Sequence, residues 1–390
     1  MTHAAPHVDP IEALRRRESE KWSAYPDDVL PLFVAEMDFA LAPPIKTALA
    51  RALQRDDTGY VNTRDTRTAR AFAEFARDRW GWEPRVERMG YATDVSTVIV
   101  EALRRLIVPG EGVVITPPVY PPFFDFIPEA GGTVVEVPML DDGETYRLDL
   151  DGIDRALDAG ARAVLLCNPG NPTGTVHDRE TLAGLSRVVA RHGASVVSDE
   201  IHAPLVHPGT TFTPYLTVSE EARDHGIAAE SASKAFNLAG LKTAMFVAES
   251  DRMAELLHEL PEEVAVRAGI FGFIATREGF THGREWLDAA VAAVVANAEL
   301  LERQLAEHLP AVRYRRGAAT YLAWLDLSGL DLGDDPAAWI LEHAKVALVS
   351  GLDFGAPGAG YARLNLACAP ETIVEAVRRI AAAVDEGEAA

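Results

Sequence analysis

The chain has 390 residues, of which 48% are hydrophobic and 25% are charged, and it carries a formal net charge of −22 at pH 7. This length predicts two or three domains, and the acidic balance opposes binding to nucleic-acid phosphates or to anionic membranes. The two cysteines form neither a disulfide framework nor a metal-ligand spacing, and without a leader or a membrane-length apolar run we expect a cytoplasmic protein that binds no metal.

The first third of the chain predicts helices, at residues 11–21, 45–54 and 66–80, from apolar spacing and from prolines at a first turn. From about residue 95, helices alternate with short, continuously apolar runs, which predict strands at residues 113–116, 134–137, 163–166 and 195–197. Strands without polar alternation, separated by helices, indicate a mainly parallel sheet that is covered on both faces. Such sheets bind ligands beyond the carboxyl ends of their strands.

After about residue 284 the pattern changes. Residues 286–308 predict a long alanine-rich helix, and short strands and two more helices follow, within residues 312–326, 336–345, 346–352, 362–366 and 370–384. We therefore predict a large α/β domain over residues 46–284. A smaller α+β domain is expected to combine residues 1–45 with residues 285–390.

One lysine has unusual surroundings. Lys234 is one of only five lysines in the chain, and small or apolar residues flank it in Ser231–Gly240. Loss of water around a lysine amine disfavours its charged form and lowers its pKa, and a neutral amine can condense with an aldehyde. The alternative is a lysine in a surface turn.

Three other segments place polar or aromatic side chains directly after predicted strands. An asparagine amide in Asn168–Gly174 can donate to a phenolate oxygen, although two Asn-Pro pairs also make a rigid turn. Asp199 can keep a pyridine nitrogen protonated, or it can simply cap a helix. Tyr120, among prolines, can stack on a planar cofactor or merely pack.

Three motifs occur in a characteristic order, namely Asn-Pro-x-Asn-Pro-Thr-Gly, Ser-Asp-Glu-Ile-His and Ser-x-Ser-Lys-x-Phe-Asn. Together they resemble the fold-type I pyridoxal-phosphate (PLP) enzymes of the class I/II aminotransferase superfamily. The closer likeness is to the MalY/PatB branch of cystathionine β-lyases and cysteine-S-conjugate lyases. It spans roughly residues 30–380 and includes Val34–Phe39, Pro118–Phe123, Leu238–Lys242, Phe354-Gly355 and Arg363–Asn365.

The resemblance implies a role for each matching residue. Lys234 matches the lysine that holds PLP as a Schiff base, and Asp199 matches the partner of the pyridine nitrogen. Asn171 matches the donor to the ring hydroxyl, and Tyr120 matches the ring that stacks on the cofactor. Arg363 matches the arginine that clamps the substrate carboxylate, a task that suits a planar guanidinium.

The resemblance also implies a phosphate site and a homodimer. Ser231, Lys242 and the helix start at Val95-Ser96 are expected to bind the cofactor phosphate, because backbone N–H groups at a helix N-terminus favour an anion. Tyr60 matches a tyrosine that reaches the phosphate of the partner subunit. If so, each site needs two chains.

Three departures from the related sequence patterns matter: two from ordinary aminotransferases and one from the lyase branch. His202, expected at the cofactor, and Lys242 follow the lyase branch, whereas Glu36 replaces the aspartate usual there, near the substrate entrance. We therefore predict a PLP-dependent carbon–sulfur β-lyase that releases thiol, pyruvate and ammonia from cystathionine or another cysteine-S-conjugate. An aminotransferase of a small amino acid is the alternative, and a regulatory binding module is disfavoured because no basic helix-turn-helix precedes the resemblance.

Overall fold

The computed structural model describes residues 5–388, and helices and strands alternate through most of that range. The helices are α1 Ile11–Leu14, α2 Glu20–Ser23, α3 Pro43–Gln54, α4 Arg67–Trp80, α5 Val95–Leu106, α6 Phe123–Glu129, α7 Leu150–Asp158, α8 Arg179–Arg191, α9 Glu220–His225, α10 Asp251–His258, α11 Glu262–Val266, α12 Ile270–His282, α13 Arg284–His308, α14 Pro336–Ala344 and α15 Pro370–Glu388. The strands are β1 Leu30–Pro31, β2 Met89–Ala92, β3 Gly112–Ile115, β4 Thr133–Glu136, β5 Leu140–Asp141, β6 Tyr146–Arg147, β7 Ala161–Cys167, β8 Ser195–Asp199, β9 Gly226–Glu230, β10 Ala244–Ala248, β11 Arg313–Tyr314, β12 Leu322–Asp326, β13 Val346–Ala347, β14 Val349–Ser350 and β15 Tyr361–Asn365.

A seven-stranded sheet forms the centre of the molecule, in the order β2-β10-β9-β8-β7-β3-β4. The pairs from β9 to β4 are all parallel, and β10 is antiparallel to both of its neighbours. Alternate residues of β7 enter different apolar clusters, Val164 with one and Leu165 with the other, so both faces of the sheet are covered. The predicted mainly parallel α/β fold is therefore confirmed.

The carboxyl ends of the central strands meet at one edge of this sheet. Cys167 at the end of β7 is in register with Asp199 at the end of β8, and the N–H of Asn168 donates to the carbonyl of Asp199 over 3.0 Å. The loops that follow β7, β8 and β9 therefore leave the sheet side by side, which brings three separate sequence motifs together.

A second sheet, in the order β11-β12-β15-β14, lies in the C-terminal part of the chain, where α13 packs against α15. The N-terminal segment joins this part, because β1 pairs in parallel with β13. This pairing supports grouping residues 1–45 with residues 285–390, and the domain boundaries stay a prediction. No helix in the described range is both long and apolar enough to cross a membrane.

The N-terminal segment differs from its prediction. Residues 11–21 are not one helix, since α1 ends at Leu14 and α2 starts only at Glu20. Between them, the guanidinium of Arg17 donates to the carbonyl of Asp38 over 3.2 Å and contacts the carboxylate of Asp9 at 3.4 Å. These tertiary contacts, which helical periodicity does not reveal, hold the intervening turn.

Candidate active site

A cavity of about 360 Å³ opens at the carboxyl edge of the seven-stranded sheet, where it is also bordered by residues 34–36 and by β15. All predicted site residues except Ser231 and Tyr60 line it: Glu36, Val95, Ser96, Tyr120, Asn171, Asp199, His202, Lys234, Lys242 and Arg363. The structure thus brings together residues that are up to 327 positions apart, Glu36 and Arg363. Their functional roles stay predictions.

Lys234 projects into this cavity from the loop after β9. Its Nζ donates to the carbonyl of Ala35 over 3.0 Å. Burial, and then the positive charge of Arg363, lower the pKa of Lys234 to about 8, which is the direction that its sequence surroundings predict. About a tenth of the amine is therefore neutral at pH 7, far more than for an ordinary lysine, and able to act as a nucleophile.

The last two residues of the lysine motif hold its loop in place. Phe236 is fully buried, stacks on Trp286 with ring centroids 6.0 Å apart, and fits against glycines of α12. Asn237 bonds the backbone of Met37 twice, as acceptor from its N–H and as donor to its carbonyl, both over 2.9 Å. The motif residues Phe and Asn thus position the lysine rather than react themselves.

Asp199 lies at the end of β8, is 3% exposed and accepts a hydrogen bond from the N–H of Ile201 over 3.1 Å. Burial raises the pKa of Asp199 to about 7. A buried carboxylate is stabilised only by a partner of opposite charge or by further donors. A protonated pyridine nitrogen satisfies this requirement, and no helix begins at Asp199 that would give it the capping role instead.

Asn171 and Arg363 form a pair at the opposite wall. One terminal nitrogen of Arg363 donates to Oδ1 of Asn171 over 3.0 Å, and the other donates to the carbonyl of Phe33 over 2.9 Å. This leaves the Asn171 amide nitrogen to donate elsewhere. The Nε of Arg363 is buried without a partner in the described structure, which marks it as a donor awaiting an acceptor.

The N-terminus of α5 forms the anion-binding end of the cavity. Asp94 caps the helix by accepting from the N–H of Thr97 over 2.9 Å, and Lys242 approaches the Asp94 carboxylate at 3.3 Å. Val95 and Ser96, in the first turn, line the cavity. First-turn N–H groups carry no intrahelical bond and favour an anion, and Lys242 adds a positive charge beside them.

Two uncharged rings, those of Tyr120 and His202, border the cavity. Burial raises the pKa of Tyr120 to about 12, so its hydroxyl stays protonated, and its ring lies edge-on to Phe123. Burial lowers the pKa of His202 to about 3, so its imidazole is neutral. Its Nδ1 has no partner within the described structure, although it is only 3% exposed.

Ser231 and Tyr60, the two predicted site residues that do not line the cavity, have separate explanations. The hydroxyl of Ser231 donates to the carbonyl of Thr243 over 2.8 Å and accepts from the N–H of Ser233 over 3.1 Å, so it braces the lysine loop. Tyr60 is 94% exposed and lies on a surface depression beside Lys242, outside its own cavity. A tyrosine at this place is available to a second chain.

Three further residues at the site are not among the predicted site residues. Glu20 lines the cavity from α2, and Tyr321 donates its hydroxyl to the same Ala35 carbonyl that accepts from Lys234, over 2.8 Å. Ser233 also lines the cavity, and its place beside Lys234 is the only signal among them. Glu20 and Tyr321 come from segments with no local pattern, so only the tertiary fold identifies them.

The arrangement fits PLP. A buried acid suits the pyridine nitrogen, an available amide suits the ring hydroxyl, and a neutral amine suits the aldehyde. The free N–H groups at the start of α5 suit the phosphate. The unpartnered Nδ1 of His202 and Nε of Arg363 are further polar atoms that a bound cofactor and substrate can satisfy.

Two glutamates are enclosed on the other face of the sheet. Glu200 directly follows Asp199, and Glu230 ends β9. Glu200 and Glu230 are at most 1% exposed, and Glu200 accepts from Ser198 and from the N–H of Tyr215 over 2.9 and 2.8 Å. Burial raises the pKa of Glu200 to about 7. Burial and the adjacent Glu200 raise the pKa of Glu230 well above its usual range, so this pair retains a proton at neutral pH.

Because of this buried pair, we predict that the free energy of unfolding decreases as the pH rises. A carboxyl with a raised folded-state pKa stabilises the protein below its unfolded pKa of about 4.5, and that contribution disappears as pH rises through its folded pKa. We expect Glu230→Gln, which cannot ionise, to flatten the fall of Tm between about pH 5 and 9 by roughly 2–5 °C relative to the native chain. Calorimetric melting across that range checks this, with the exposed Glu74→Gln as control. Parallel curves for all three proteins would show that Glu230 carries no such linkage.

Comparison with known proteins adds independent information. Residues 27–380 match the model of the family described as aminotransferase class I and II. A Mycobacterium tuberculosis protein, whose own assignment as a cystathionine β-lyase is provisional, is 43% identical over 95% of this chain and 96% of the relative. The cystathionine β-lyase of Corynebacterium glutamicum is 34% identical over 95% of this chain and 98% of that enzyme.

The same likeness holds in three dimensions. A crystal structure from Corynebacterium diphtheriae, of a protein provisionally assigned as a PLP-dependent β-cystathionase, superposes with a TM-score of 0.92. It is 34% identical, and the match covers 98% of this chain and 99% of that one. Fold and sequence therefore agree over nearly the whole length.

Proposed function

The chain belongs to the family of class I and II aminotransferases, and from that premise we propose that it is a PLP-dependent carbon–sulfur β-lyase. Its substrate is cystathionine or another cysteine-S-conjugate, and its products are a thiol, pyruvate and ammonia. The observation that carries the proposal is the meeting of a lowered-pKa amine, Lys234, with a buried acid, Asp199, in one cavity. The relatives named as cystathionine β-lyases support this choice of reaction.

Four side chains divide the task of holding the cofactor. Lys234 would hold PLP through its aldehyde, Asp199 would pair with its ring nitrogen, Asn171 would donate to its ring hydroxyl, and Tyr120 would stack on its ring. Bound PLP supplies an aldehyde that captures the substrate amine and a ring that accepts the electron pair left at Cα. Asp199 keeps that ring electron-poor by pairing with its protonated nitrogen, a pairing that burial strengthens.

The protein's own steps are positioning and proton transfer. Arg363 binds the substrate carboxylate, which places the Cα–H bond beside Lys234. The neutral amine of Lys234 takes the Cα proton. The carbon–sulfur bond at Cβ then breaks with its electron pair going to sulfur, and the thiolate departs. Water converts the remaining three-carbon fragment to pyruvate and ammonia.

We propose that the enzyme is a homodimer with shared sites. Tyr60 is the basis of this proposal, because it is almost fully exposed and lies next to Lys242 but outside its own cavity. A twofold interface would let it reach the partner's phosphate end. We also propose a cytoplasmic location, since elimination from free amino acids requires no membrane or extracellular partner.

The reaction is tested by incubating the PLP-loaded enzyme with cystathionine and measuring products. Stoichiometric thiol and pyruvate support β-elimination. Formation of a keto acid that retains the sulfur, together with conversion of the cofactor to its amine form, would instead identify the alternative reaction, transamination.

Arg363→Lys tests the carboxylate clamp. An ammonium cannot reproduce two parallel N–H donors, so we expect KM for cystathionine to rise by about 10- to 100-fold, while PLP affinity changes by less than about threefold. Steady-state kinetics and PLP titration of the apoprotein measure the two effects, with the exposed Arg303→Lys of α13 as control. Equal losses of substrate and PLP affinity would make Arg363 a structural residue.

A further inference from the structure

The segment that contains Glu36 has its backbone fixed from several directions. The carbonyls of successive residues accept hydrogen bonds from side chains of distant elements, at Phe33 from Arg363, at Val34 and Glu36 from Asn365, at Ala35 from Lys234 and Tyr321, and at Met37 from Asn237. Such a segment has little freedom to move away from the cavity. The direction of its side chains is therefore a built feature of the site.

Within this segment, Glu36 places a carboxylate on the cavity wall without a counter-ion. Glu36 is half-buried and lines the cavity, and its carboxylate makes no hydrogen bond or ion pair with any residue from 5 to 388. Lys21 is committed to Asp38 at 2.9 Å and reaches only the backbone carbonyl of Glu36. The oxygens of this carboxylate are not among the buried atoms that lack a partner, so a cation in the cavity can reach them.

The charges of the loaded site leave this carboxylate uncompensated. Lys242 already contacts Asp94, the proposed cofactor contact neutralises Asp199, and Arg363 receives the substrate carboxylate. Lys234 is the neutral base in the substrate-loaded site, so it is not a cation before it takes the Cα proton. Glu36, with Glu20 further out at the same wall, is then left with negative charge and no cation.

The charge of Glu36 acts on groups at the end of the cavity where the substrate would react. Its charge, together with that of Asp199, opposes the fall in the pKa of Lys234, and it also acts on the hydroxyl of Tyr321. The carboxylate therefore faces the region around the amine that takes the substrate proton. The substituent on the substrate sulfur shares this cavity with the Glu36 carboxylate, because Glu36 and Lys234 line the same space.

We infer that Glu36, assisted by Glu20, selects cysteine-S-conjugates whose thiol portion carries a positive charge. The chemical class is an S-alkyl cysteine with a distal ammonium or a similar cation, and the distal amine of cystathionine meets that description. This inference rests on the proposed lyase function and names its substrate class. Glu36 is then a specificity-determining residue rather than a catalytic one.

The experiment compares three matched substrates with the PLP-loaded enzyme. S-(2-aminoethyl)-cysteine has a distal cation, S-propyl-cysteine is its neutral isostere, and S-(2-carboxyethyl)-cysteine has a distal anion. We expect kcat/KM for thiol release to fall in that order. In Glu36→Gln, the ratio between the cationic and neutral substrates should fall by about tenfold or more, with a smaller fall in Glu20→Gln because that residue is exposed.

Two variants keep the comparison interpretable. Glu36→Asp retains the charge and should retain the selectivity ratio. Glu18→Gln removes an exposed charge close to α2 that does not line the cavity, and its ratio should equal that of the native enzyme.

A non-kinetic measurement uses the analogues 3-(2-aminoethylthio)propionate and 3-(propylthio)propionate, which lack the α-amine and cannot react. Calorimetric titration should show the same charge preference in binding, lost in Glu36→Gln.

The outcomes separate this inference from the lyase proposal. Thiol release from all three substrates with an equal or inverted order, or a ratio that Glu36→Gln leaves unchanged, overturns the role of Glu36 while the lyase function stands. No thiol from any substrate overturns the lyase function itself. A charge preference in analogue binding that survives Glu36→Gln also overturns the inference.

Discussion

Lys234→Ala is expected to lower turnover of cystathionine by at least about 10³-fold and to abolish the visible absorbance of the loaded enzyme. The reason is twofold, because this amine both holds the cofactor covalently and removes the Cα proton. No second lysine can take over, since Lys242 lies at the anion-binding end of the cavity beside Asp94. Absorbance spectra and pyruvate release, measured on the same preparation, check both effects.

A matched lysine provides the control for this result. Lys46 is exposed on α3 and does not line the cavity, so Lys46→Ala should keep the spectrum and the rate of the native enzyme. A Lys234→Ala protein that remained coloured, or that retained more than about a tenth of the native turnover, would remove Lys234 from both roles.

Asp199→Asn is expected to lower kcat by about 10²- to 10³-fold while leaving the cofactor attached. An amide does not hold the ring nitrogen protonated, and breaking a buried charge pair is costly. Because Lys234 is unchanged, the visible band should persist with a shifted maximum. Turnover and spectra together distinguish this outcome from simple loss of PLP.

The control for this substitution is Asp158→Asn, at an exposed position at the end of α7. It should melt and turn over like the native enzyme. A kcat for Asp199→Asn within about threefold of the native value would mean that Asp199 has a structural task, such as its bond with the N–H of Ile201, and no electronic one.

The central strands could be predicted from sequence because burial on both faces leaves a simple pattern. The apolar run 163–166 of β7 leads into Cys167, and the apolar pair 196–197 of β8 is followed by Ser198 and Asp199. The motifs directly follow such strands, so their convergence at one sheet edge also follows from the parallel topology. Lys234 follows β9 in the same way, which is why its place in the cavity agrees with the sequence prediction.

Other parts of the sheet and of the site could not be found in this way. The strand β9 begins Gly-Ile-Ala-Ala, a composition with weak strand preference, and β10 runs antiparallel to its neighbours, which no local pattern encodes. Residues 34–36 line the cavity, and hydrogen bonds to side chains some 200 to 330 positions away hold their segment there. Tyr321 and Glu20 are brought in by the same tertiary packing. We therefore propose that such long-range contacts set substrate choice, whereas a motif records only the chemistry common to the family.

Borohydride reduction followed by peptide mass analysis is the decisive measurement for the PLP-bound protein. If the amine of Lys234 forms the bond to the cofactor, reduction traps a stable adduct on the peptide that contains Ser231–Gly240, and on no other lysine peptide. A colourless PLP-saturated protein without that adduct, or an adduct at Lys242 in its place, would contradict the assignment of this site.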